Sequence, residues 1–98
     1  MHEKKVMEDL MTRILQVARS RKAARVTTVR VRLGVLSHMT PRHFEEHFVD
    51  ASRGTIAEGA AVVATEIPET GDPLARDIVL DSIDVLDGID GIDVEPGA

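Results

Sequence analysis

The chain has 98 residues, a formal net charge of −5 and no cysteine, so it makes one small domain without disulfides or thiolate metal sites. No apolar run approaches a membrane span, and residues 1–20 are charged throughout rather than built like a signal peptide. Aromatics are limited to Phe44 and Phe48, which argues against a base-stacking platform for nucleic acid. The expectation is a cytoplasmic protein.

The first three residues, Met1-His2-Glu3, join an α-amine, a backbone amide and an imidazole without a break. The amine and the His2 amide close a five-membered chelate on a metal, and that amide with Nδ1 of His2 closes a six-membered one. Three nitrogens then share a plane, which the amide nitrogen of Glu3 or an outside ligand squares off. Planar nitrogen coordination suits Ni(II) or Cu(II) rather than tetrahedral Zn(II). The amine and the imidazole bind only when unprotonated, with ordinary pKa values of about 7.7–8.0 and about 6.5. Such a site loads near neutrality and releases in mild acid. The plain alternative is a start methionine followed by a chance histidine.

From Lys4 to Ser20, Met7, Leu10, Met11, Ile14 and Ala18 recur at steps of three and four, with Val6 and Val17 widening the stripe. The spacing predicts an amphipathic helix with residues 1–3 outside its first turn. Glu3, Glu8 and Asp9 near its start and Arg19, Arg21 and Lys22 near its end suit the helix dipole. From Val26 to Leu33, Val29, Val31 and Leu33 alternate with Arg30 and Arg32, predicting a strand with one buried face. Thr40-Pro41 opens a second helix as cap and first residue, Phe44, Phe48 and Ala51 mark its buried side, and Gly54 stops it.

Ala60 to Ile67 predicts a second strand ended by Pro68, and 69–76 a loop. A third strand runs from Ile78 to Val85. Ile78 and Leu80 are in phase, as are Ile83 and Val85, but the two pairs are not, so a β-bulge is predicted near Asp81-Ser82. The fold class is α+β: two helices on one three-stranded sheet, in the order α-β-α-β-β, over residues 1–85. Whether the first two strands run parallel stays open. Residues 86–98 form an acidic Gly/Asp/Ile tail, read as flexible. Its Ile/Val residues also suit an edge strand, in cis or on a neighbouring chain, which leaves a homo-oligomer open.

Charge is unevenly spread. Residues 1–32 hold nine Lys/Arg against three Asp/Glu, and 33–98 hold three against fourteen. The basic third either meets an acidic partner or faces the acidic half of the same domain. With no aromatic residue among residues 1–32 and no nucleic-acid motif, the second reading is favoured.

Met1-His2-Glu3 ahead of a helix, Val-Arg-Val-Arg-Leu-Gly-Val-Leu-Ser at 29–37, then Pro41, Phe44, Phe48, Gly54-Thr55, Glu58-Gly59-Ala60 and Pro68 resemble the HypA/HybF family of nickel metallochaperones. The likeness spans nearly the whole chain to residue 85. It implies a protein that is not an enzyme and that helps deliver nickel to a nickel enzyme such as hydrogenase. The implied partners are a nickel-handling GTPase and the hydrogenase large subunit. It also implies a nickel site at Met1 and His2, with Glu3 in or near the first shell. The chain departs from the family between its second and third strands, where the family carries a zinc lobe with paired Cys-x-x-Cys motifs. Here that interval is Glu69 to Arg76, so no cysteine-ligated zinc is expected. The lost lobe motivates an alternative: a metal-free interaction or regulatory module that docks on a maturation GTPase or a hydrogenase subunit.

Three further histidines compete as ligands. His43-Phe44-Glu45-Glu46-His47 fits the H-x-x-E-H pattern of a class of zinc proteases. A spacing of four puts both imidazoles on one helix face, but a helix that must bury Phe44 and Phe48 offers no substrate cleft, and no catalysis is read here. Two partly exposed histidines beside the core stripe is the simpler account, with a secondary metal site at His43, Glu46 and His47 as the sharper one. His38, ahead of the second helix, is a candidate fourth ligand for the N-terminal site.

Overall fold

In the computed structural model, residues 3–68, 71–74 and 76–87 are described. The order is α1 (Glu3–Ser20), β1 (Ala23–Gly34), a 3-10 turn (Val35–Ser37), α2 (Pro41–Ser52), β2 (Ala61–Ile67) and β3 (Ile78–Asp87). One three-stranded sheet has the order β2-β1-β3, and both helices pack on it. This is the two-layer α+β arrangement expected. The open question of strand direction is resolved: β1 and β2 are parallel, from Thr28 opposite Ala61 to Gly34 opposite Ile67, while β1 and β3 are antiparallel.

α1 buries Met7, Leu10, Met11, Ile14 and Ala18, the stripe that steps of three and four lay along one side of a helix. Val6 is a correction, being exposed at the margin of that stripe. The helix also starts earlier than predicted, since Glu3 is already helical. It ends through Lys22, whose φ of 54° turns the chain into β1. α2 is capped as its sequence requires. Thr40 is extended, and its hydroxyl accepts from the backbone N–H of His43 at 3.1 Å, with Pro41 in the first turn. Phe44 and Phe48 are completely buried and stack with ring centroids 6.3 Å apart. Gly54 follows the helix with φ +82°, a left-handed conformation that L residues rarely adopt.

The β1–β3 register shows why β3 changes phase. Arg30 pairs with Ser82 but Val31 pairs with Leu80, so Asp81 is the extra residue of a bulge. With it, Ile78, Leu80, Ile83 and Val85 stand opposite Leu33, Val31, Val29 and Val26, all buried residues of β1. Two more shifts lie in β1, at Ala24 and Thr27. β3 runs to Asp87, two residues beyond the expected end at Val85, because Leu86 pairs with Arg25 and Asp87 with Ala23. The remainder of the acidic tail, 88–98, lies outside the described residues.

The sheet's second face carries the charge. Arg30 makes a two-pronged pair with Asp84 at 2.8 and 2.9 Å, and Arg32 reaches Asp81 at 2.9 Å. Arg25 donates to the carbonyl of Glu58 at 2.6 Å. Arginines of the basic first third thus meet groups from the acidic remainder of the same domain. The two hydrogen bonds from Arg30 hold the Asp84 carboxyl below the usual range, assisted by the charge of Arg30 and opposed by partial desolvation. Among the described residues no helix is long and apolar enough to cross a membrane.

Candidate metal centre

Met1 and His2 lie outside the described residues, and of Glu3 only the backbone is described, as the first residue of α1. The first four N–H groups of an α-helix have no carbonyl partner within the helix. A metal that displaces the amide proton to water can therefore take the nitrogen of Glu3 without breaking a helical hydrogen bond. Glu3 was expected to stay outside the turn for this purpose, and its place at the start of the turn leaves the same nitrogen open.

The two helices bring α2 to this end. Ser37, ahead of α2, lines a groove with Val6 and Leu10 of α1. Thr55, beyond the end of α2, lines another with Leu15 and Arg19. The helices therefore run in the same general direction, and both begin at the same end of the layer. Between them lies a groove flanked by Lys4, Met7 and Glu8 on one side and His47, Asp50 and Ala51 on the other.

His43 and His47 lie on the flank of α2 beside its buried phenylalanines, and both are half-buried. Their Nε2 atoms are 2.9 Å apart and their ring centroids 4.5 Å, with the rings tilted by 44°. Glu46 is exposed and pairs with Arg42, one turn back along the helix, at 3.6 Å. His38 is exposed and adopts φ 62°, closing the 3-10 turn so that Met39 can enter the core. Histidine is among the few residue types enriched in that conformation. Among the described residues no group of three or more His, Asp or Glu side chains gathers closely enough to hold a metal. What sequence reasoning missed is Glu8, which faces the groove opposite His47. Its signal exists only once the two helices are aligned.

Residues 1–72 match the family model described as hydrogenase/urease nickel incorporation, metallochaperone, hypA. The hydrogenase maturation factor HypA of Archaeoglobus fulgidus is 43% identical over 60 residues, covering 61% of this chain and 54% of that protein. The corresponding factor of Rhodobacter capsulatus is 37% identical over 68 residues, 69% of this chain and 60% of that one. The chain thus spans 54–60% of the length of these two relatives. The solution structure of the Ni metallochaperone HypA from Helicobacter pylori superposes with a TM-score of 0.73, covering 89% of this chain and 99% of that one. At 17% identity that likeness speaks for the fold alone. With a family model matched over more than half its length, and a helix-on-sheet architecture shared with a solved member, the chain belongs to the HypA family.

Proposed function

We propose that this chain binds Ni(II) at its N-terminus and carries it for the maturation of a nickel enzyme such as hydrogenase. The ligands are the amine of Met1, the amide nitrogen and imidazole of His2, and the amide nitrogen of Glu3. The observation that carries the reading is the Met-His-Glu triplet whose last residue opens α1, in a chain that matches the HypA family from residue 1. A planar set of nitrogens favours Ni(II) over Zn(II), and α1 provides a rigid base that limits how far the ligands wander. Metal and protons compete for the amine and the imidazole, so nickel leaves as the pH falls through the range in which they protonate. Delivery would involve a nickel-handling GTPase and the large subunit of the hydrogenase.

The test is the absorption spectrum of untagged protein loaded with Ni(II), after intact-mass measurement has established that Met1 is present and unblocked. A yellow, low-spin planar band is expected, and His2→Ala should abolish it. The reading fails if both proteins give the same pale octahedral spectrum.

A second reading is supported by the short link between Ile67 of β2 and Ile78 of β3, strands that lie on opposite sides of β1. Asp72 accepts from the backbone N–H of Leu74 at 2.8 Å, and the N–H of Asp77 donates to the carbonyl of Leu74. No cysteine stands there, so no thiolate zinc lobe is present to lend ligands to nickel. A metal-free module that docks on the maturation partners would keep the fold without the cargo. Pull-down of those partners with and without a nickel chelator separates the two readings, because only the carrier is sensitive to chelator.

A further inference from the structure

We propose that the cationic groove at the end of α1 is the docking site for this chain's own acidic segment, residues 88–98. Three observations lead there. The first is the groove itself. Leu15 and Arg19 of α1, Lys22 and Ala23 at the turn into β1, and Thr55 and Ile56 beyond α2 line it. Leu15, Ala23 and Ile56 pack on the core but are only partly covered, so an apolar surface stays open there. Arg19 and Lys22 stand exposed beside it.

The second observation is unbalanced charge. Lys5, Arg30, Arg32, Arg42 and Arg53 each have a carboxylate partner, and Arg25 has the carbonyl of Glu58. Among the described residues the side chains of Arg19, Arg21 and Lys22 have no such partner, and they follow one another at the end of α1. The carbonyls of the last helical turn favour cations at this place but do not neutralise them.

The third is where the acidic segment begins. Asp87, the last described residue of β3, stands opposite Ala23, which lines the groove. Neighbouring strands lie about 4.8 Å apart, whereas the eleven residues that follow can span up to about 36 Å. In Ile89-Asp90, Ile92-Asp93 and Val94-Glu95 an apolar residue is followed directly by a carboxylate. The groove offers the complement, aliphatic side chains next to a guanidinium and an ammonium. As a separate peptide such a segment would bind weakly, because exposed ion pairs are screened. Tethered to the end of β3 it has a roughly millimolar effective concentration, and weak contacts suffice. Docking covers the cationic end of the helical layer and closes it to other acidic segments.

The chain has no cysteine, so Ala98→Cys gives a single site for a nitroxide label. Broadening of backbone amide resonances by that label is followed by NMR at low ionic strength and without metal. The strongest broadening is expected from Leu15 to Ala23 and at Thr55 and Ile56. Asp90→Asn, Asp93→Asn and Glu95→Gln together keep the tether and the label but remove the charge. They should reduce that broadening about threefold or more, as should about 0.5 M salt. Arg19→Gln with Lys22→Gln should do the same from the groove side. Should that pair fail to fold, the neutral segment still decides, since its substitutions lie beyond β3. Broadening that is unchanged in the neutral segment reports tethered proximity alone and overturns the proposal. So does broadening of the same amides in isotope-labelled chains without nitroxide mixed with nitroxide-labelled ones, because the segment then docks on a second copy. No arm of the test uses nickel, so its outcome is separate from that of the N-terminal reading.

Discussion

The two faces of the sheet are built from the same strand yet work in opposite ways. On the helix side, Val26, Val29, Val31 and Leu33 of β1 lock into Ile14, Phe44 and Phe48 and are shut off from water. On the other side, Arg30 and Arg32 of the same strand face Asp84 and Asp81 in solvent, with 38–52% of these side chains exposed. The first face earns its stability from apolar area removed from water. The second adds little, because exposed ion pairs are screened and must immobilise long side chains. Its role is register and solubility: charges that pair across strands fix which residue faces which. Among the described residues, candidate metal donors belong to neither face: Glu3 opens α1, and His43 and His47 lie on the flank of α2.

Substitutions can break this contrast. Phe44→Ala empties the centre of the dry face and should cost about 3–5 kcal/mol in chemical denaturation, a large share of what a domain of this size possesses. Deleting Asp81 removes the extra residue but leaves Ile78, Leu80, Ile83 and Val85 in one unbroken alternation opposite the same β1 partners, so it should cost roughly 1 kcal/mol or less, the exposed contact with Arg32 being all that is lost. Asp81→Ala keeps the bulge and loses the same contact with Arg32, so its effect should be similar. If deletion costs several kcal/mol more than substitution, Asp81 is not simply the extra residue between Leu80 and Ser82.

Smaller changes sharpen the contrast. Thr40→Ala removes the cap of α2 and should cost about 1 kcal/mol. Thr40→Ser keeps the hydroxyl and should recover most of it. The least effect is expected at Asp84. Its carboxyl lies below the usual range in the folded chain because Arg30 donates to it. The stability it contributes is present above the ordinary carboxyl value of about 3.9 and fades as the pH falls through that value and then the lower folded one. Asp84→Asn should therefore be slightly less stable than the parent at pH 7. The gap should close in acid, as followed by thermal unfolding across a pH series.

Much of this architecture was legible from residue spacing. The stripe of α1, the alternation of β1, the Thr40-Pro41 start of α2 and the phase change at Asp81 are each encoded within a few neighbouring residues. The failures share a cause. Val6 fits the helical period but stands at the edge of the stripe, bordering the groove that Ser37 also lines. Leu86 and Asp87 read as tail because their partners, Arg25 and Ala23, are more than 60 positions away in sequence. Of the candidate ligands, the Met-His-Glu triplet is legible because amine, amide and imidazole are consecutive. Glu8 was invisible, since its place opposite His47 depends on packing between helices.

The sequence by itself determined which segments are helices and strands, which side of each turns inward, and that no thiolate chemistry is available. Those properties follow from side-chain period, turn residues and composition, all local quantities. Only the tertiary structure decided that β1 lies between a parallel and an antiparallel neighbour, that the helices start at the same end, and that two imidazoles of α2 approach to 2.9 Å beside the groove facing α1. Periodicity fixes a face but not the partner that will cover it, and the partner is selected by packing the whole core at once.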